Sequence, residues 1–180
     1  EVLKFSNLGD PKKWEIDLFA DAALGKSQDP ESYIGDISFI RGPNGLRNVV
    51  NWNSGKLDVP TASILNAEAE AITNAHGKIK YIRFILNEMF NIEMPATMFT
   101  DSRSLFQTVT SDNSIRNRRI SAAIATIRAV KTAENITLRW LKGVANISDS
   151  LTRPNANTAN LKHLLSTGKT LSSFPIPGIG

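Results

Sequence analysis

The stretch Glu15-Ile16-Asp17-Leu18-Phe19-Ala20-Asp21 constrains this chain more than any other. It is short, apolar between acidic side chains, and followed by Ala22-Ala23-Leu24-Gly25. Such a run with a glycine stop predicts a strand rather than a helix. Its apolarity places it in the core, where carboxylates are seldom buried without a partner. Asp21 at its end either initiates a turn or faces a second group across the fold.

A second run repeats the pattern. After Pro95, Ala96-Thr97-Met98-Phe99-Thr100-Asp101 reads as a short apolar strand that again ends in an aspartate. Between the two runs, Tyr33–Ile40 and Asn48–Asn53 read as strands joined by the turn signal Gly42-Pro43-Asn44-Gly45. Sequential strands with short links pair antiparallel. Pro60-Thr61 opens the longest helical pattern, in which Leu65, Ile72, Ala75, Ile79, Ile82, Leu86 and Met89 form one apolar stripe. Helical patterns return over Ser102–Val109 and Asn117–Thr132, and Ile136–Leu141 is the last strand. Asn146 to Arg153 predicts a further helix, and a short one is expected around Leu161–Leu165.

This order gives an α/β chain with a mixed five-stranded sheet, three antiparallel strands followed by two parallel ones, flanked by helices. Residues 1–13 form a lead-in or linker segment, 14–154 the domain, and 155–180 a C-terminal extension with a mobile Ser/Pro/Gly tail. The chain begins at Glu1, as an excised piece of a longer protein does. No run approaches the ~18 apolar residues of a membrane span.

The chemistry lies in the acids. Asp21 and Asp101 end two core strands, Glu68 or Glu70 lies near the start of the long helix, and Asp149 near the start of a late one. Carboxylates crowded at one place repel one another unless divalent cations neutralise them. With no cysteine and only two histidines, His76 and His163, in the chain, the donors are hard oxygens. These suit magnesium or manganese over zinc, and two such ions can clamp the attacking and leaving oxygens of a phosphodiester. The net charge of +4 and pI of about 9.5 are compatible with a polyanionic partner.

Four motifs carry a resemblance. Phe19-Ala20-Asp21-Ala22-Ala23 resembles the Tyr-Ser-Asp-Ala-Asp of RNase H domains in copia-type LTR retrotransposons. Ala67-Glu68-Ala69-Glu70-Ala71-Ile72 is similar to their Thr-Glu-Ala-Glu-Tyr-Ile, and Met98–Ser104 to their strand-Asp-Asn/Ser-x-Ser. Ile147-Ser148-Asp149-Ser150-Leu151-Thr152-Arg153-Pro154 resembles their Ala-Asp-x-Leu-Thr-Lys-Pro.

The resemblance implies an RNase H fold and metal-dependent endonucleolytic cleavage of the RNA strand of RNA–DNA hybrids during reverse transcription. It implies Asp21, Glu70, Asp101 and Asp149 as catalytic acids holding two magnesium ions, with manganese able to substitute. The other partner it implies is the polymerase or connection domain of the same polyprotein, inside cytoplasmic virus-like particles. Helical geometry leaves the glutamate open: Glu68 and Glu70 point to opposite sides, and the apolar stripe brackets Glu68. The resemblance aligns Glu70.

Arg116, Arg118 and Arg119 fall where that family has its basic segment and are expected to bind nucleic acid, with Arg128 and Lys131 as further candidates. Trp52 and Trp140 are expected in the core or on a sheet face, and Lys78, Lys80 and Arg83 on the solvated side of the long helix. Val144 stands where cellular RNases H carry a histidine. Two rivals remain: a weak or inactive domain of the same fold serving as a nucleic-acid or subunit scaffold, and an integrase-type core. The double-Glu motif ahead of Asp101 speaks against the second.

Overall fold

The computed structural model describes residues 3–25, 31–57, 63–111, 118–153 and 155–171. Its five strands are β1 (Glu15–Ala23), β2 (Tyr33–Arg41), β3 (Arg47–Lys56), β4 (Ala96–Thr100) and β5 (Ile136–Trp140). They form one sheet in the order β3-β2-β1-β4-β5. β2 pairs antiparallel with β1 and β3, while β4 pairs parallel with β1 and β5, which is the expected mixed sheet. The β2–β3 link turns at Gly45, whose φ of 76° suits glycine, and its N–H donates to the Gly42 carbonyl at 2.9 Å.

β1 is central and covered on both faces, which explains its nearly unbroken apolarity. Ile16, Leu18 and Ala20 pack with Ile72, Ala75 and Ile79 of α1 (Ile64–Phe90), with Leu105 of α2 (Arg103–Thr110), and with Ile124 and Ile127 of α3 (Arg118–Ala133). On the opposite face Phe19 stacks on Phe99, ring centroids 4.7 Å apart, in a second core with Ile37, Phe39, Leu141 and Ile147. Leu164 of α5 (Ala159–Thr167) closes that layer. Asp17, buried level with this core, is held by Arg41 Nε at 3.0 Å and Arg47 Nε at 2.8 Å. Its charge is thus neutralised inside the protein.

Several expectations change. Met89 is 66% exposed, because the inward stripe at that end is carried by Ile79 and Leu86 and Met89 lies off it by rotation. Trp52 is 64% exposed on the edge strand β3. Lys78, Lys80 and Arg83 make tertiary ion pairs, with Asp36 at 2.5 Å, Glu134 at 3.2 Å and Glu93 at 3.1 Å. His76 is buried and contacts Glu134 at 3.0 Å, tying α1 to the end of α3. The expected helix over Asn146–Arg153 contracts to a four-residue α4 (Asp149–Thr152) after a 3-10 turn at Gly143–Ala145. The expected helix opening at Pro60-Thr61 and most of the Ser/Pro/Gly tail lie outside the described residues.

Candidate metal centre

β1 does not end at Asp21; it runs on to Ala23, and Asp21 pairs with Gly35 of β2. A turn-initiating role is therefore ruled out. In the parallel β1–β4 ladder Phe19 stands beside Phe99. Continued two residues, that register sets Asp21 level with Asp101, and the period of two puts both on the Phe19–Phe99 face. The placement of two acids side by side thus follows from register alone.

The third acid comes from α1. Glu68 occupies the inward stripe near its N-terminal end and is 5% exposed, accepting a hydrogen bond from the Ala22 backbone N–H. One oxygen each from Asp21, Glu68 and Asp101 lie within 4.8 Å of one another. Glu68 Oε2 is buried with no hydrogen-bond partner among the described residues. Glu70 follows by about 200° of helix rotation, is half-buried and is not part of this group. The expectation from the resemblance is corrected here: the glutamate beside the aspartates is Glu68.

The electrostatics are those of a site short of positive charge. Burial, then repulsion from Asp21 and Asp101, pushes Glu68 up to about 9. Burial raises Asp21 to about 6 against the opposing Thr152 hydroxyl bond, with Asp101 and Asp149 adding repulsion. Burial also raises Asp101, opposed by a hydrogen bond from Asn146. Metal-free, Glu68 is the acid of the cluster that favours its protonated form at neutral pH. An orphaned buried carboxylate oxygen and an all-oxygen donor set fit a hard divalent cation.

Asp149 stands just outside this trio. Its charge reaches Asp21 and Asp101, but its carboxylate pairs with Arg153 Nε at 3.2 Å.

What holds α4 here was not foreseen from the sequence. Thr152 donates its hydroxyl to Asp21 Oδ2, and Ser54 donates to the Leu151 carbonyl at 2.6 Å. Asn146 Nδ2 donates to the Ala20 carbonyl at 3.3 Å, while its Oδ1 accepts from Ser148. Gly35 makes the approach possible. A Cβ there stands 2.7 Å from Leu151 Cβ and 2.9 Å from Thr152 Cγ2. Gly35→Val is therefore expected to destabilise the fold by about 2–3 kcal/mol through overpacking, checked by urea denaturation. At temperatures where it stays folded, its divalent-ion affinity should also drop, because Thr152 no longer holds Asp21.

The lone signal for Thr152 in the sequence is its place in the Leu-Thr-Arg-Pro run, three residues past Asp149. Gly143 fits against Asp101, where a Cβ stands 3.1 Å from Oδ2, and the neighbouring Val144 is 69% exposed.

Of the basic candidates, Arg118 is exposed at the first residue of α3, while Arg116 and the side chain of Arg119 lie outside the described residues. Arg128 is engaged elsewhere. It donates to the carbonyls of Val109, Thr108 and Ser111 and fastens α3 to the end of α2, which removes it as a backbone-gripping residue. Trp140 is half-buried and donates to the Asp101 carbonyl at 3.0 Å.

A helix-flanked sheet of this order, with acids at neighbouring strand ends, is the RNase H fold. LC11-RNase H1, isolated from compost by a metagenomic approach and solved in complex with RNA/DNA hybrid, superposes with a TM-score of 0.59 at 16% identity, covering 77% of this chain and 94% of that one. The prototype foamy virus protease-reverse transcriptase gives 0.54 at 19% identity, over 84% of this chain and 22% of the viral one. No protein-family model matches.

In sequence, this chain is similar to transposon Ty1 Gag-Pol polyproteins. It is 25% identical over 137 residues to the truncated transposon Ty1-A and the transposon Ty1-LR2 Gag-Pol polyproteins of Saccharomyces cerevisiae. The match takes in 75% of this chain, which spans only 11% and 8% of those polyproteins. Among the described residues no helix is long and apolar enough to cross a membrane.

Proposed function

We propose that this chain is a ribonuclease H domain of a copia-type retrotransposon reverse transcriptase, cutting the RNA strand of RNA–DNA hybrids endonucleolytically. The observation that carries the reading is the trio Asp21, Glu68 and Asp101, drawn together from β1, α1 and the end of β4, with one carboxylate oxygen unpartnered among the described residues. A scaffold has no reason to keep three repelling carboxylates together, two of them buried.

Asp21, Glu68 and Asp101 would hold magnesium, or manganese in its place, and Asp149 would complete the set of ligands for two ions. When bound, the cations supply Lewis-acid polarisation of the phosphodiester and lower the pKa of the attacking water. The chain's own residues prepare the site. Thr152 fixes the rotamer of Asp21 through its hydroxyl bond. The Ala22 N–H orients Glu68, and Asn146 anchors the loop before α4 to β1. Recognition of the hybrid rests on phosphates and 2′-hydroxyls rather than base identity, with Arg116, Arg118 and Arg119 as the basic residues proposed to bind it. The polymerase portion of the same polyprotein is the proposed covalent neighbour, and a cytoplasmic virus-like particle the proposed setting.

Incubation of a labelled RNA–DNA hybrid with the chain in magnesium or manganese tests the reading, beside Asp21→Asn. Cutting of the RNA strand alone, dependent on metal and lost in the variant, is the expected result. Hybrid binding without cutting moves the reading to the scaffold alternative, and absence of both removes it.

A further inference from the structure

Arg153 has no part in the reading above, yet it contacts the fourth acid and lines an open groove together with Thr152, the partner of Asp21. It follows α4 directly and pairs with Asp149, four residues back, at 3.2 Å. Its side chain is 59% exposed while that of Asp149 is 31% exposed. It lines a groove of about 960 Å³ with Ala22, Ala23, Thr152 and Asn155, and Thr152 joins that groove to the acid cluster through its bond to Asp21. The two residues before Arg153 are anchored, Leu151 by Ser54 on its carbonyl and Thr152 by its hydroxyl on Asp21.

We infer that Arg153 is a positioning residue that takes a phosphate of the bound strand, and that its pair with Asp149 is the resting arrangement which that phosphate replaces. The inference rests on the RNase H reading. A guanidinium fork matches phosphate oxygens bidentately, as a charge-assisted contact. A solvent-exposed i,i+4 pair is weak by comparison and readily exchanged. The exchange also leaves the Asp149 carboxylate free to turn toward the trio, so strand arrival and completion of the acid set become one event.

The test uses the whole chain with Asp101→Asn, so that the hybrid is not cut, and measures RNA–DNA hybrid affinity in magnesium across a salt series. Adding Arg153→Gln is expected to weaken binding roughly tenfold and make the slope of log affinity against log salt shallower by about one. Arg153→Lys, which keeps the charge, should restore the slope but only part of the affinity.

A second readout uses manganese alone, without nucleic acid, on the chain with Asp101 intact. The manganese-induced rise in Tm should persist or grow in Arg153→Gln, since a competing positive charge is gone. Unchanged affinity and slope in Arg153→Gln overturns the inference while the RNase H reading stands. Loss of the manganese response together with affinity also overturns it, assigning Arg153 a purely structural part. Failure of the chain with native Arg153 to bind hybrid removes the RNase H reading and the inference with it.

Discussion

Glu68→Gln is expected to lower single-turnover hybrid cleavage by at least about 10³-fold, the loss that several kcal/mol of metal-borne charge stabilisation implies. Glu70→Gln should stay within a few-fold of the native chain. The two residues differ little in sequence context, so the contrast isolates geometry. Glu68 lies on the stripe that faces the sheet and reaches within 4.8 Å of Asp21 and Asp101, while Glu70 faces elsewhere. Glu68→Gln also removes the carboxylate with the most strongly raised pKa, about 9. In chelator it should therefore gain about 2 kcal/mol, or some 4–8 °C in Tm. Loss of activity with gain of stability distinguishes a repelling ligand from a residue that merely holds the fold. An inactive Glu70→Gln beside an active Glu68→Gln overturns the assignment.

The glutamate shows where sequence reasoning succeeds and where it slips. Strand order, pairing and the juxtaposition of Asp21 with Asp101 were legible because they depend on periodicity and connection length, which local sequence carries. The apolar stripe of α1 already pointed to Glu68, through Leu65 and Ile72 on either side. The resemblance instead aligns Glu70, because a motif with two equal letters has no internal register.

The contacts that tighten the site were not legible. Thr152 on Asp21 and Asn146 on Ala20 span 131 and 126 residues of sequence, and no local pattern announces partners that far apart. Nothing in the sequence around Gly35 marks it as the seat of α4, which packs against it from more than a hundred residues on. The cationic candidates divided for the same reason. A row of arginines on a helix does not show which one meets three carbonyls, as Arg128 does, and which meets solvent.

The same buried acids make stability depend on pH in a direction opposite to that of ordinary paired carboxylates. Burial raises Glu68 to about 9 and Asp21 to about 6 in the folded chain. Unfolded, both return to the usual carboxylate range near 4. Between these limits the folded state binds more protons than the unfolded one, so stability falls as pH rises. The Asp21 contribution is lost by about pH 6, whereas that of Glu68 goes on falling to about pH 9. In chelator, Tm is expected to drop on the order of 10 °C between pH 5 and 9.

Saturating manganese should reverse the trend. Ligation needs the carboxylates ionised, so the stabilisation from bound metal grows over the same interval in which the free site grows more costly. Melting curves at several pH values, with chelator and with millimolar manganese, measure both slopes. A flat chelator profile would mean that the three carboxylates do not crowd in solution. A falling profile that manganese leaves unchanged would mean that they crowd but do not bind the ion, and the proposed chemistry would lose its cofactor.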